Sequence, residues 1–157
     1  MMNKLLWSPD PGRIEKTQLR RFQKHLGHEG DYKSFHQFSI QDKKRFWSEL
    51  FSFYQIQYAG SLTPSLTDDS FKSYSWFPDA SLNFAENLLA KGESAKTALN
   101  FQHESGRVQK ISYGELRETT GALSSFLKDI IKSGDVVAAY MPNIPETTIT
   151  MLATSSQ

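Results

Sequence analysis

The sequence predicts an α/β chain in which an N-terminal helical part precedes the opening of a doubly wound sheet: hairpin, helix, buried strand, helix. Three observations carry that expectation. Apolar and aromatic residues recur at helical spacing within residues 10–54. The period changes to two after Lys96. Finally, "VVAAY" (Val136–Tyr140) is a run without polar alternation between two helical stretches, the pattern of a strand covered on both faces.

The elements follow in order. "DPGRIEKTQLRRFQKHLG" reads as one helix, with Asp10 at the cap, Pro11 at the first helical position and Gly27 at the end. Leu19, Phe22 and Leu26 share a face; Arg13, Lys16, Arg20 and Lys24 lie largely elsewhere. "SIQDKKRFWSELFSFYQI" reads as a second helix, starting at Ser39 with Asp42 as a loose capping box. There Phe46, Leu50 and Phe53 form a stripe that Trp47 and Tyr54 widen. Residues 59–79 are rich in Ser, Thr, Asp, Gly and Pro but hold Phe71, Tyr74, Trp76 and Phe77, which marks a surface-hugging loop. "SLNFAENLLAKG" reads as a short helix closing at Gly92, with Leu82, Glu86 and Leu89 about a turn apart.

A boundary is expected in the polar "KGESAK" stretch, dividing the chain into residues 1–92 and 93–157. Beyond it, Leu99 and Phe101 alternate with polar neighbours, Val108 and Ile111 mark a second strand, and "ESGR" turns between them. "SYGELRETTGALSSFLKDIIKSGD" carries a Ser112–Glu115 capping box, a face of Leu116, Thr120, Leu123, Leu127 and Ile130, and Gly134 as its expected stop. Pro145 and Glu146 open the last helix, with Asn143 as its candidate cap. A strand such as Val136–Tyr140 requires neighbours that 157 residues do not supply, so the sheet is expected to be truncated.

Composition narrows the function classes. The chain has 38% hydrophobic residues with 11 Phe, 6 Tyr and 3 Trp, enough to bury a core. A net charge of +1 gives no footprint for nucleic acid. The absence of cysteine rules out disulfides, thiolate zinc sites and thiol catalysis. No apolar run approaches a signal peptide or bilayer span, so no membrane partner is expected and a cytoplasmic location fits.

Candidate chemical residues are few. His25 and His28 form an H-x-x-H pair with Gly27 between them and His36 across a loop, short of the three or four convergent ligands that zinc needs. His103 lies at the hairpin end with no nucleophile motif around it, and Asp68–Asp69 is a carboxylate pair on a polar loop. "RRFQKH" mixes cations with an inward Phe22, as amphipathic helices do. No phosphate-cradling glycine spacing occurs. "YMPNIPE" follows the buried run and leads into a helix N-terminus, where doubly wound proteins place ligands, but a plain tight βα turn is the favoured reading of it. No catalytic, cofactor-binding or metal residue is therefore assigned.

Three stretches carry a resemblance. "WFPDASLNFAENLL" (Trp76–Leu89) is similar to the signature W-F-x-x-A-x-L-N-[YF]-A-E-N-L-L of acetoacetyl-CoA synthetases. "ISYGELRE" and "GDVVAAYMPNIPETTITMLATSS" resemble the [TS]-Y-x-E-L and G-D-x-V segments near the start of the adenylation domain in adenylate-forming enzymes. The resemblance implies residues 1–92 as the cap domain of an acyl-CoA synthetase and 93–157 as an incomplete AMP-binding domain. It implies a full-length parent that joins acetoacetate to coenzyme A with ATP and Mg²⁺. That parent's phosphate loop, ribose-binding Asp and catalytic Lys lie beyond Gln157, so these residues alone are expected to bind no cofactor, to be inactive and to self-associate. Two alternatives share the resemblance: a non-catalytic interaction or regulatory module, and a fragment of an acetyl- or propionyl-CoA synthetase.

Overall fold

A computed structural model describes residues 6–68, 70 and 72–157. Asp69 and Phe71, named above, lie outside the described residues. The chain packs as two compact units, one holding residues through Ile56 with Gly60–Ala80, the other Gln57–Ala59 with Ser81–Gln157.

The first unit contains four helices: α1 (Pro11–Glu15), α2 (Gln18–His25), α3 (Tyr32–Gln41) and α4 (Lys43–Phe53). Asp10 caps α1 by accepting from the Arg13 N–H at 2.9 Å. The single helix expected over residues 10–27 is broken at Thr17. Its hydroxyl donates to the Ile14 carbonyl at 2.8 Å and accepts from the Arg20 N–H at 3.2 Å, closing α1 and capping α2. Such local bonds compete with a continuous helix. A further correction concerns Ser39, which lies inside α3. That helix begins at Asp31, whose carboxylate accepts the Ser34 N–H at 2.8 Å, and Asp42 is the cap of α4.

Three of these helices, α2, α3 and α4, meet on an aromatic cluster. Phe22 is 3% exposed and has Phe35, Phe46 and Phe53 at ring distances of 5.9, 5.6 and 5.1 Å. Edge and tilted contacts of this kind add to the area the rings bury. Trp47 packs edge-on against Phe46 at 5.4 Å and extends the cluster to Trp76 at 5.9 Å, and Phe51 meets Phe77 at 5.2 Å. Tyr74, Trp76 and Phe77 of the 59–79 loop therefore lie on α4, as the aromatic density of that polar stretch suggests.

The second unit contains α5 (Phe84–Ala90), a hairpin of β3 (Thr97–Gln102) and β4 (Val108–Ser112), then α6 (Tyr113–Leu127) and α7 (Pro145–Ser155). Two-residue strands β1 (Ala59–Gly60) and β2 (Ala80–Ser81) occur where the chain passes between units. The helix expected to close the N-terminal part at Gly92 thus packs with the C-terminal elements. In the hairpin, Gln102 faces Val108, and Gly106 takes φ +84° in the turn closed by the His103 N–H on the Arg107 carbonyl at 2.8 Å. That left-handed backbone favours glycine. The core is Ala85, Leu116, Ile149 and Leu152, with Leu89, Leu99, Ile111 and Leu123 packed around it.

Two expectations are overturned here. The α6 helix stops at Leu127, seven residues before Gly134. A local turn replaces its last two turns: the Lys132 N–H donates to the Asp135 carboxylate at 2.8 Å, and Gly134 sits in that turn at φ +94°. Ile130, expected on the buried face, is 59% exposed. The run Val136–Tyr140 is extended but forms no strand, and it is not covered: Val136 is 93% exposed and Tyr140 fully so. A strand exists only by pairing, and among the described residues β3 and β4 pair with each other alone.

The Thr120 hydroxyl on α6 is buried without a hydrogen-bond partner, and the residue is 2% exposed. Thr120→Val keeps the shape and removes the unsatisfied group. The variant is expected to be more stable by about 1 kcal/mol in urea unfolding. A lower midpoint than the parent's would show that the hydroxyl has a stabilising role.

Candidate functional site

The stretch that sequence and chemistry single out is the Met141–Glu146 loop entering α7. Pro142 and Pro145 fix its ends, and Pro145 is buried at the first helical position. Asn143 does not cap the helix; Ile144 holds that position with no side-chain bond, and Asn143 is exposed. The Thr147 hydroxyl donates to the Pro142 carbonyl at 2.7 Å, which ties the first turn of the helix to its entry loop. Beside the loop lies an open groove of about 330 Å³, between Asn100, Phe101 and Gln102 of β3 and Asn143, Pro145 and Thr148. A second groove of about 390 Å³, mainly apolar, runs between Val137, Ala139 and Met141 and the Met151 side of α7.

The remaining sequence candidates are not brought to this loop. His25 stacks on Phe22 and contacts Glu49 at 3.3 Å, whereas His28 faces Phe35 and Phe38 and bonds the Ser34 hydroxyl at 3.0 Å. The H-x-x-H residues thus turn to different partners, and His36 stacks on Tyr32. His103 binds Ser105 at 2.8 Å within its own hairpin turn. Asp68 accepts from the Ser73 hydroxyl at 2.6 Å and the Ser70 N–H at 2.9 Å, and these bonds hold its carboxyl below the ordinary carboxylate range. Among the described residues, no three His, Asp or Glu side chains converge as metal ligands.

What the three motif stretches do contribute is positioning. In "LNFAENLL", the Asn83 side-chain oxygen caps α5 by accepting from the Glu86 N–H at 3.0 Å, while its amide nitrogen donates to the Ser155 carbonyl at 2.7 Å. Ala85 is fully buried at the meeting of α5, α6 and α7. Asn87 acts as a peptide group in side-chain form. It accepts from the Gln57 N–H at 2.7 Å and donates to the Gln57 carbonyl at 2.9 Å. Aspartate lacks the donor for that pair, and glutamine carries an extra methylene.

The "ISYGELRE" stretch builds the start of α6. Glu115 N–H donates to the Ser112 hydroxyl at 3.2 Å, and the Glu115 carboxylate accepts from the Ser112 N–H at 2.8 Å, the reciprocal box expected. Arg117 from the same stretch satisfies the end of α5. One of its nitrogens donates to the carbonyls of Leu89 and Gly92 at 2.9 and 2.8 Å, and another to the Ser94 hydroxyl at 2.7 Å. A guanidinium there also complements the helix dipole. Sequence reasoning missed this residue, because nothing local to it names a target 23 to 28 positions away. Gly92 is required where it stands: a Cβ would lie 2.0 Å from the Tyr113 ring.

With this geometry in view, comparisons with known proteins are informative. Residues 32–88 match the sequence model described as the acetyl-coenzyme A synthetase N-terminus, and residues 86–157 match that of the AMP-binding enzymes. The two overlap inside α5. The chain belongs to the AMP-binding, acyl-CoA synthetase family, and it matches the N-terminal region of those proteins. More particularly, the relatives matching nearly its whole length are acetoacetyl-CoA synthetases. That of Rhizobium meliloti is 34% identical over 96% of this chain and 24% of that protein. The solved acetoacetyl-CoA synthetase from Streptomyces lividans superimposes with a TM-score of 0.87 at 29% identity, covering 98% of this chain and 25% of that one. An acetyl-coenzyme A synthetase from Streptomyces coelicolor is also 34% identical, but over 71% of this chain and 18% of that protein. The chain spans about a quarter of the length of the acetoacetyl-CoA synthetases it matches.

The Ser112 bonds hold the Glu115 carboxyl below its ordinary value of 4.5. A depressed carboxylate stabilises the fold above its unfolded-state value and loses that contribution as pH falls through the folded one. Glu115→Gln keeps an acceptor for the cap and removes the titration. Urea midpoints at about pH 7 and about pH 3.5 should therefore fall more for the parent than for the variant. Equal falls would remove Glu115 from the acid response.

Proposed function

We propose that this chain is the N-terminal part of an ATP-dependent acid–thiol ligase that converts acetoacetate, ATP and coenzyme A to acetoacetyl-CoA, AMP and diphosphate. The observation that carries the reading is the likeness to acetoacetyl-CoA synthetases along nearly the whole chain, at 34% identity in sequence and a TM-score of 0.87 in structure. The chemical logic is that a carboxylate is a poor electrophile and its mixed anhydride with AMP a good one; thiol attack on that anhydride then releases AMP.

In this reading residues 1–92 form the cap domain and 93–157 begin the AMP-binding domain. The ends of the two family matches, at residues 88 and 86, support a division in that neighbourhood. ATP, Mg²⁺ and coenzyme A belong to the whole enzyme in the cytoplasm. These 157 residues alone bind none of them and perform no adenylation, a reading supported by the lack of a glycine-rich phosphate loop in the sequence. Exposure of Val136 and Tyr140 on an unpaired extended segment supports self-association of the isolated chain.

Two measurements test this. The purified chain, given ATP, Mg²⁺ and acetoacetate, should release diphosphate at the no-enzyme background; turnover that survives repurification would contradict it. An open reading frame that extends this sequence to the relatives' length should encode an enzyme with higher kcat/KM for acetoacetate than for acetate. A preference for acetate would move it to the acetyl-coenzyme A synthetase branch.

A further inference from the structure

The two ends of α7 are held very differently. At its C-terminal end, the Ser155 carbonyl accepts the Asn83 amide of α5 at 2.7 Å. From the other side, the Ser156 hydroxyl donates to the Ser124 hydroxyl of α6 at 2.8 Å, and the Gln157 amide donates to the Ser124 carbonyl and hydroxyl at 2.9 and 2.6 Å. At the N-terminal end, the Thr147 hydroxyl and the Ile144 N–H both go to the Pro142 carbonyl, within the helix's own entry loop. The segment before that loop, Val136–Met141, makes no backbone hydrogen bond to any described residue. Terminal turns ordinarily fray first. By hydrogen bonds the last turn is tied to two other helices and the entry end only to its own loop, where Pro145 is held by packing alone.

We propose that Asn83 is a two-sided clasp: its oxygen starts α5 while its nitrogen fixes the last turn of α7, so that α7 opens from its Pro145 end. The type of side chain follows from the task. Asp, Ser and Asn all cap a helix well, but only Asn among them also offers an amide donor long enough to reach a carbonyl on a neighbouring helix. The Pro145 end borders the groove lined by Asn100, Gln102 and Asn143. Movement of α7 about the clasp changes the width of that groove and draws Ile149 away from Ala85 and Leu116, while Leu152 lies nearer the clasp. The positioning role is independent of the ligase reading, and its test involves no activity.

Amide exchange followed residue by residue by NMR separates the two halves of the Asn83 side chain. In the parent, amides of residues 152–157 should exchange more slowly than those of residues 147–150. Asn83→Asp keeps the cap and loses the donor, and it sets a carboxylate against the negative end of the α7 dipole. Asn83→Ser keeps the cap without adding charge. Both variants should speed exchange at Ser156 and Gln157 by about fivefold or more, the equivalent of losing one hydrogen bond. Exchange at Asn87 and Leu88 in α5 should be unchanged in both. Unchanged exchange at residues 152–157 in both variants would overturn the clasp. So would equal loosening of α5 and α7, which would make Asn83 a cap alone, and so would a parent in which the Pro145 end is the slower one.

Discussion

Three helices of the C-terminal unit close on one methyl group. Ala85 has no exposed surface, and Leu116 of α6 with Ile149 and Leu152 of α7 completes the cluster around it. A larger side chain at that point would force α6 and α7 away from α5, and close-packed interiors absorb such intrusions poorly. Asn83, two residues before Ala85, and Asn87, two residues after, make the polar contacts that fix how α5 sits on its neighbours. The stretch that points most specifically to acetoacetyl-CoA synthetases is thus, in this chain, a packing and hydrogen-bonding piece. None of its residues lines the groove beside Asn143.

The same constraint explains why α7 forms despite a sequence poor in helix formers. Thr147, Thr148, Ile149 and Thr150 are β-branched and disfavour an isolated helix. Packing overrides propensity: Ile149, Leu152 and Ala153 are buried, and the Thr150 hydroxyl bonds back to the Glu146 carbonyl at 2.8 Å. The contrast lies just upstream. Val136–Tyr140 has better intrinsic preference for its extended state than α7 has for its helix, yet it lacks a partner among the described residues. Apolar content without a neighbour yields exposure, not a strand.

Elements whose signals are local were legible in the sequence. Asp10 and Pro11 start α1, Ser112 and Glu115 form their box, and Gly106 turns the hairpin, because each depends on groups within about four residues. Single-residue choices between equivalent local options were not. Thr17 divides a helix whose hydrophobic face runs straight through it, and Asp42 caps a helix where Ser39 offered a similar signal. Long-range polar roles were invisible: Asn83 to Ser155 spans 72 positions, and Arg117 reaches back to Leu89. The site candidates fared similarly. Composition excluded thiolate chemistry within these residues, whereas the partners of His25 and His28 required the fold.

The central claim is that α5 serves as the packing centre of the C-terminal unit through Ala85. The direct measurement is urea unfolding of Ala85→Val beside Ala90→Val, which places the same change on an exposed position of the same helix. Helix propensity costs both variants alike. If α5 is that centre, Ala85→Val lowers stability by about 1–3 kcal/mol more than Ala90→Val does. Equal losses in the two variants would contradict it.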